Sequence, residues 1–402
     1  MDGSKSAGQI VVRVHSAIED IGLESWNSCA FLSEKEKKRG RPDNPFTDYR
    51  FLHALEASGS ARAETGWYPQ HLAVEDEDGT VLAVMPAYAK SHSQGEYIFD
   101  HAWADAFERA GGRYYPKLLS AIPFTPVTGP RLLVGPDEKG RTDKANALVT
   151  GIAGLVERLD ISSAHINFAS EADATHLTDS GFLLRTDCQF HWKNNSFSTF
   201  DAFMETLASR KRKQLRKERR QALENGISID WITGSDLTES VWDRFFDFYI
   251  DTGARKWGRP YLTREFFSLV SETMADQILL VMAKRDGYPI AGALNFLGET
   301  AIYGRHWGCV EDHPFLHFEV CYYQAIDYAI AHGLKVVEAG AQGGHKLARG
   351  YEPVTTRSAH FIANPSFRSA VANYLEDERR HVAREAEYLS ERTPFKKMLT
   401  IT

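Results

Sequence analysis

The stretch DSGFLLRTDCQFHW at residues 179–192 decides the fold, because ARGYEPVTTRSAHF at residues 348–361 repeats its pattern at one constant offset. Each copy leads from the end of a short helix into a strand. Self-similarity of this kind predicts a duplicated domain. The letters that coincide are Gly181 with Gly350, Thr186 with Thr355 and His191 with His360.

The segments before each copy also follow one order: hairpin, helix, strand, short helix and closing strand. The first hairpin is HLAVEDEDGTVLAVMPAYAK, with a turn at Asp78-Gly79. The second is LLVMAKRDGYPIAGALNFLG, with a turn at Asp286-Gly287. Strands that alternate with helices predict the mixed α/β class, here as two tandem domains.

Three further segments complete the expected organisation. Phe99 to Val134 is rich in aromatic residues and proline, which indicates a long functional insertion in the first domain. Helix formers followed by the stop signal Asn225-Gly226 predict a helix over 201–224. A second charged helix is expected over 366–395. The predicted domains are 1–195 and 196–402.

Composition excludes several classes of protein. The 402 residues are 43% hydrophobic and carry a net charge of -7, so the protein as a whole should not coat nucleic acid. No run approaches the ~20 apolar residues of a membrane span, and the N-terminal residues lack an apolar export segment. Four scattered cysteines without a C-x-x-C pair predict reduced thiols and a cytoplasmic protein.

Several long stretches between about Asn44 and His360 resemble the FemAB-like "peptidoglycan biosynthesis/recognition" family of the GNAT (N-acetyltransferase) superfamily. They include SGSARAETGWYPQHLAV, YYPKLLSAIPFTPVTGPRLL, LHFEVCYYQAI and EAGAQGGHKLARGY. The resemblance implies two tandem GNAT-like domains and transfer of an acyl or aminoacyl group to an amine. Related Fem transferases take an amino acid from aminoacyl-tRNA and join it to a peptidoglycan precursor. Gly344 stands where the family has an acidic residue.

The acyl donor is left open between aminoacyl-tRNA and acyl-CoA. GNAT enzymes hold acetyl-CoA with a glycine-rich loop at a helix N-terminus, where free N–H groups bind pyrophosphate. The corresponding stretch CVEDHPFLHFEV contains no glycine, and GPDEKGRTDKANALV in the first half also departs from the pattern. These departures weigh against conventional acetyl-CoA use.

Two stretches of the second half supply the candidate catalytic and binding residues. In YGRHWG, strand alternation predicts Tyr303, Arg305 and Trp307 on one face and His306 on the other. Arg305 is suited to a carboxylate or phosphate and Trp307 to stacking, although a salt bridge and packed aromatics give the same letters. In DHPFLHFE, Pro314 between the histidines argues against a metal site. There, His317 and Glu319 are the candidate acid/base pair, with helix capping as the alternative for Glu319.

The loop GAQGGHKLARG combines small residues with hydrogen-bond donors. This composition suits an anionic group such as a nucleotide-sugar pyrophosphate or a peptide carboxylate. A strand that simply turns into a helix is the alternative. The predicted ligand contacts are Gln342, His345, Lys346 and Arg349. Arg305, His317, Glu319 and His345 are expected to meet in one cavity.

Eight of the eleven residues in RKRKQLRKERR at 210–220 are basic. An apolar line that includes Leu207 and Leu215 leaves most of this charge exposed. In an acidic protein, such an excess predicts a polyanion partner, for which transfer RNA, nucleotide-sugar phosphates and anionic lipid compete. A solvated structural helix is the alternative. The predicted contacts are Arg210, Lys211, Arg212, Lys213, Arg216 and Lys217.

In the first half, Asp100 and Trp103 lie in GEYIFDHAWADAF and are predicted to line an acceptor cleft together with the proline-rich insertion. An aromatic seam between domains is the alternative. Three functions follow: a Fem-like transferase acting on a small-molecule or peptide-sugar substrate, a CoA-dependent N-acyltransferase, and a non-catalytic module that recognises muropeptide or nucleic acid. The sequence does not determine the oligomeric state.

Overall fold

The computed structural model describes residues 10–256, 260–340 and 343–396, and these residues belong to two compact units. Unit 1 comprises residues 1–186 and 356–379, and unit 2 comprises residues 187–355 and 380–402. The chain therefore passes from unit 1 into unit 2, returns to unit 1 at residue 356 and enters unit 2 again at residue 380. The units follow contacts in space, unlike the linear division at 195/196 that the repeat predicts.

Unit 1 contains two sheets. A small antiparallel sheet has the strand order β1-β3-β4, and a larger one has the order β2-β5-β6-β7-β14, in which β6 and β7 are parallel. Helix α5 packs on these strands through an apolar core that includes Leu148 and Ile152. The strands are β1 Val11–His15, β2 Trp67–Pro69, β3 His71–Glu75, β4 Val81–Met85, β5 Tyr88–Lys90, β6 Lys117–Ser120, β7 Ser163–Ala169 and β14 Glu352–Ile362. The helices are α1 Leu23–Ala30, α2 Glu34–Arg39, α3 Tyr49–Ala57, α4 His101–Arg109, α5 Arg141–Arg158 and α6 Glu171–Asp179.

Unit 2 has one sheet with the order β8-β13-β12-β11-β10-β9, in which β12 and β13 are parallel. Its strands are β8 Leu183–Lys193, β9 Ile227–Ile232, β10 Ile278–Arg285, β11 Tyr288–Leu297, β12 Ala301–Cys309 and β13 Val336–Glu338. Its helices are α7 Phe200–Thr206, α8 Ser209–Ala222, α9 Glu239–Lys256, α10 Arg264–Met274, α11 Leu316–Phe318 and α12 Gln324–Ala331, with a π-helical turn over Glu319–Tyr323 and a 3-10 turn over Gly344–Arg349. Helix α13, Pro365–Ser390, contributes residues to both units.

The two copies of the repeat form the closing strands, and the structure exchanges them. In unit 1, β14 lies antiparallel to β7 and brings His360 opposite His165. In unit 2, β8 lies antiparallel to β13 and brings His191 opposite Glu338. Each half of the chain therefore supplies the last strand of the other unit, at the same place in the element order.

The basic segment 201–224 is not the single helix that the sequence predicts. Helix α7 ends at Thr206 and α8 begins at Ser209, with extended backbone at Leu207 and Ala208. The reason is a distant partner: Ala208 N–H donates to the Pro394 carbonyl at 2.9 Å, and Leu207 forms a β-bridge with Phe395. Bridge geometry at these residues is incompatible with a continuous helix.

The insertion over 99–134 is more regular than predicted, since it contains α4 and β6. Beyond Ser120, where β6 ends, the chain returns beside β7. There, Gly129 N–H donates to the Phe168 carbonyl at 3.0 Å, and the Gly129 carbonyl accepts from Ser170 N–H at 2.8 Å. The insertion thus pairs with the end of β7, beyond the point where β6 stops.

Candidate functional site

In unit 2, the parallel strands β12 and β13 separate after a short paired stretch and leave a gap between them. Strands β12 and β13 pair only from Ala301–Val336 to Tyr303–Glu338, after which β13 ends and β12 continues to Cys309. Among the described strands, none continues this pairing along β12. The second half of β12 therefore has a free side, and that side faces a groove.

A β-bulge lies at the point where the groove begins. Leu294 of β11 is opposite His306, whereas Asn295 is opposite Gly304, so Arg305 is the extra residue. Bulges bend a strand and redirect its side chains, and they are frequent next to active sites. Here the bulge directs Arg305 towards the end of β13, where its Nη2 lies 3.5 Å from Glu338 Oε2.

The bulge also shows that the predicted alternation in YGRHWG is wrong. Trp307 packs against the same apolar cluster as Ile302, whereas the ring of His306 meets Tyr249 of α9 at 5.1 Å. Tyr303 stays beside Arg305, whose guanidinium lies 5.2 Å from its ring. One extra residue shifts the period-two pattern, so Trp307 is not on the face of Tyr303.

A small cavity of about 130 Å³ lies at the bulge. Its walls come from β11, β12, the residue after β13, and the helical segment that follows β12. That segment contains the π-helical turn, a rare element that is frequent at functional sites. The lining residues are Ala293, Leu294, Asn295, Gly304, Arg305, His306, Trp307, His317, Cys321, Tyr322 and Ala339.

A larger cavity of about 470 Å³ adjoins it and shares Trp307 and His317 with it. It is lined mainly by the loop between β12 and α11, with an acidic part at Glu311 and Asp312. Glu311 accepts from Arg285 and contacts His313 Nε2 at 2.8 Å, whereas Asp312 is exposed. His317 thus stands where an acidic cavity meets a cationic one.

Two basic side chains, Arg305 and His317, line the inner cavity, and Lys346 lies close to Arg305. The Arg305 side chain is only 2% exposed. Burial first, and then the charge of Arg305, lower the pKa of Lys346 to about 8. The Lys346 ammonium donates to the Gly340 carbonyl at 2.9 Å. His317 is half-buried, with its ring edge-on to Trp307 at 5.2 Å.

Tyr322 is a site residue that the sequence did not reveal. Its hydroxyl lies 2.9 Å from His345 Nε2, and burial raises its pKa well above the usual range. The hydroxyl therefore stays protonated and shares a hydrogen bond with the imidazole. Burial, followed by the charge of Arg349, lowers the pKa of His345 and favours its neutral ring. The candidate His345 is thus connected to the cavity through Tyr322.

Two other candidates are engaged in ion pairs with α8. Glu319 is fully buried and accepts from Arg219 at 2.8 and 3.1 Å and from Gln324 at 2.7 Å. Arg349 donates to Glu218 at 2.9 Å. Neither side chain lines the two cavities. Gln342 lies outside the described residues.

Asp100 and Trp103 belong to a different cluster, in unit 1. Asp100 is buried and accepts from Lys117 Nζ and from the Tyr114 hydroxyl. Trp103 packs edge-on against His360 at 5.0 Å. These two residues lie within unit 1 and not in the cavities of unit 2.

On α8, the structure separates exposed cations from paired ones. Arg212 and Arg216 form ion pairs with acids of α7, at 2.6 Å for Arg212 and Glu205, and Lys211 is half-buried. Four other cations fall within an arc of about 80° on an ideal helix and are exposed. We call them the cation stripe: Arg210, Lys213, Lys217 and Arg220.

Within the described ranges, no group of three or more His, Cys, Asp or Glu side chains is placed to hold a metal ion. The same part of the chain contains no helix that is both long and apolar enough to cross a membrane. The four cysteines are free thiols.

We expect the stability of unit 2 to fall with acidity through His306. Burial, and then the Arg305 charge, lower the pKa of His306 from 6.5 to about 3. The folded state excludes the proton that the unfolded state takes up, so stability is complete above pH 6.5 and decreases as the pH falls towards 3, by up to about 1.4 kcal/mol per pH unit. The free energy of unfolding in urea, measured between pH 4 and 7, should depend less steeply on pH in His306→Gln than in wild type. His332 is exposed, so the control variant His332→Gln should keep the wild-type dependence of stability on pH. The same pH dependence in all three proteins would contradict the prediction.

Three solved structures are similar to this chain. The C-terminal DUF2156 domain of a putative lysylphosphatidylglycerol synthetase from Agrobacterium fabrum has a TM-score of 0.50 and 11% identity, covering 88% of this chain and 95% of that one. A conserved protein of unknown function from Bacteroides thetaiotaomicron has a TM-score of 0.50 and 10% identity, with coverages of 87% and 99%. A tandem GNAT protein from the clavulanic acid biosynthesis pathway has a TM-score of 0.45 and 12% identity, with coverages of 89% and 99%.

The FemAB-like family model, described as peptidoglycan biosynthesis and recognition, matches residues 17–397. No curated protein matches the chain. The match and the repeated element order together confirm the predicted fold class, a mixed α/β chain of two tandem GNAT-like domains.

Proposed function

The chain belongs to the FemAB-like family, and from that premise we propose that it is an acyltransferase that joins an acyl or aminoacyl group to an amine in the cavities of unit 2. We propose a peptide-sugar molecule as the amine-bearing substrate and the cytoplasm as the compartment. The family description and the four free cysteines support these two choices.

One observation supports this location most strongly: the parallel strand pair of unit 2 opens into a cavity, whereas that of unit 1 is filled. In unit 1, the proline-rich insertion occupies the edge of β7 through Gly129. In unit 2, β12 runs free beyond Tyr303, and the bulge at Arg305 faces the open space. Ligands of α/β folds bind at such openings beyond strand ends.

The charges of the two cavities suit two different reactants. The outer cavity carries the exposed Asp312, which attracts an ammonium group, next to Glu311, which is paired with Arg285. The inner cavity is lined by Arg305, with Lys346 near it, and these cations stabilise the negative charge that develops on a carbonyl oxygen during attack. We therefore place the amine in the outer cavity and the acyl carbonyl in the inner one.

His317 lines both cavities and is the proposed general base. The bound ammonium first releases one proton to water, and the neutral amine nitrogen then attacks the acyl carbon, the bond from that carbon to the donor breaks, and an amide bond forms. The proton that the amine loses passes to His317 and then to the leaving group.

Aminoacyl-tRNA is the donor that the charges favour over acyl-CoA. The loop before α11 lacks glycine and carries the exposed Asp312, so it offers a pyrophosphate neither a backbone cradle nor a favourable charge. The cation stripe provides a separate surface for a polyphosphate chain, since its four cations span about 15 Å along α8.

Reversing the cation stripe should abolish transfer RNA binding. The variant Arg210→Glu, Lys213→Glu, Lys217→Glu and Arg220→Glu removes about four phosphate contacts, and log K for wild type should fall by about 3 per decade of salt. Binding is measured by filter retention at two salt concentrations. A control with the same charge change reverses the exposed lysines Lys35, Lys37, Lys38 and Lys139 of unit 1. Equal loss in both variants would show a net-charge effect and would reject the stripe as the binding surface.

The function itself is tested by incubating the protein with either acetyl-CoA or an aminoacyl-tRNA and a lysine-containing muropeptide. Mass spectrometry of the acceptor should reveal a new amide, with aminoacyl-tRNA as the better donor. Specific binding of muropeptide without any amide product from either donor would support a recognition module instead.

A further inference from the structure

Asn295 is a buried polar residue for which the protein provides only half of the hydrogen bonds. It lies on β11 opposite the bulge, is fully buried, and lines the inner cavity. Its Nδ2 group donates to the carbonyls of Leu279 and Ala293, each at 3.2 Å. Its Oδ1 atom has no hydrogen-bond donor among the described residues.

The two carbonyls fix which end of the amide faces the cavity. A backbone carbonyl only accepts hydrogen bonds, so the side-chain NH2 group must point at Leu279 and Ala293. The oxygen is then held towards the bulge. A Cβ atom built at Gly304 would lie 3.3 Å from this oxygen, so the glycine leaves that side of the buried oxygen without a covering side chain.

A buried carbonyl oxygen without a donor is rare in folded proteins, because the loss of hydration is not compensated. A ligand that presents an N–H or O–H group supplies the missing partner. The cavity of about 130 Å³ holds the volume of roughly four water molecules, which is enough for one amide unit with short substituents.

The neighbouring charges decide between an ammonium and an uncharged N–H. Arg305 is buried beside the cavity, and Lys346 is close enough for the Arg305 charge to lower its pKa. The nearby carboxylate of Glu338 is already paired with Arg305. Two cations against one acid repel an ammonium group but tolerate an amide N–H, and they attract the amide carbonyl.

We infer that the inner cavity binds a secondary amide of the ligand, with its N–H donated to Asn295 Oδ1 across Gly304. This inference rests on the proposed function only in taking the inner cavity as part of the reaction site. The amide has two possible sources, the chain of the acyl donor or the peptide of the acceptor.

The test uses two amide probes and their ester analogues, in which oxygen replaces one N–H. Pantetheine represents a donor chain, and N-acetyl-alanyl-alanine represents a peptide. Binding to the full-length protein is followed through the NMR signal of the Trp307 indole, assigned with Trp307→Phe. Whichever amide probe binds, its ester analogue should bind about tenfold or more weakly, because the ester oxygen provides no hydrogen-bond donor.

The variant Gly304→Ala provides the matched control, since alanine fits a strand and the new methyl group lies against Asn295 Oδ1. It should bind amide and ester equally weakly, and Asn295→Leu should do the same if it folds. Equal amide and ester affinity in wild type, or no binding of either probe, overturns the inference. Amide discrimination without any amide-forming activity would keep this inference and reject the proposed function. Amide-forming activity without any preference for the amide probe over the ester would keep the proposed function and reject this inference.

Discussion

Lys117→Met should destabilise the protein by about 3–5 kcal/mol, the largest effect we expect from a single change in unit 1. The Lys117 ammonium is fully buried and donates to Glu96 at 2.8 Å, to Ser93 at 2.8 Å and to Asp100. Removing it leaves two buried carboxylates without their cation. The free energy of unfolding is measured in urea at pH 8, where Glu96, whose pKa burial raises to about 7, is mostly ionised.

Lys90 is the matched control, because it is equally buried and is the cross-strand neighbour of Lys117. Its ammonium contacts the Gln94 carbonyl at 3.2 Å and the Trp67 ring at 3.7 Å, and burial lowers its pKa to about 7. At pH 8 it is mostly neutral, so Lys90→Met should change stability by no more than about 1 kcal/mol. Similar losses in the two variants would show that the two carboxylates do not depend on Lys117.

His317→Asn should lower the rate of amide formation by about 10²–10⁴-fold, because it removes the base at the junction of the two cavities. The pH-rate profile should lose its acidic limb, since that limb reports protonation of the base. Substrate affinity should change much less than the rate, because asparagine retains a polar side chain of similar size.

Glu319→Gln is the informative comparison for His317→Asn, because the sequence proposed both residues as the acid/base pair. Glu319 is bound to Arg219 and does not line the cavities, so its substitution should reduce stability and leave the pH-rate profile unchanged. A profile that changes with Glu319→Gln but not with His317→Asn would reverse the two assignments.

The sequence predicted the duplicated α/β fold because the two patterns that indicate it, the hairpin turns and the alternating runs, are local. Each turn at Asp-Gly and each alternating run can be identified without knowing the partner strand. The exchange of closing strands between units was not predictable in this way. Two similar strands fit either β7 or β13, and the choice depends on contacts distant in sequence.

The candidate site was predicted only in part, for similar reasons. Arg305 and His317 were found because Arg and His are unusual on a strand and at a helix start. The bulge and the π-helical turn have no sequence signature, so the direction of Trp307 was wrong and Tyr322 was missed. The role of Glu319 depends on Arg219, which lies 100 positions away.

The most direct test of the central claim is to fill the inner cavity and measure amide formation. Ala339 is half-buried and lines that cavity, so Ala339→Phe places a ring where we propose that the acyl group binds. The exposed residue change Ala331→Phe on α12 adds the same ring outside the cavity. With aminoacyl-tRNA and a lysine-containing muropeptide, our account predicts amide formation by wild type and Ala331→Phe and none by a folded Ala339→Phe. Undiminished amide formation by Ala339→Phe would contradict it and move the reaction elsewhere in the molecule.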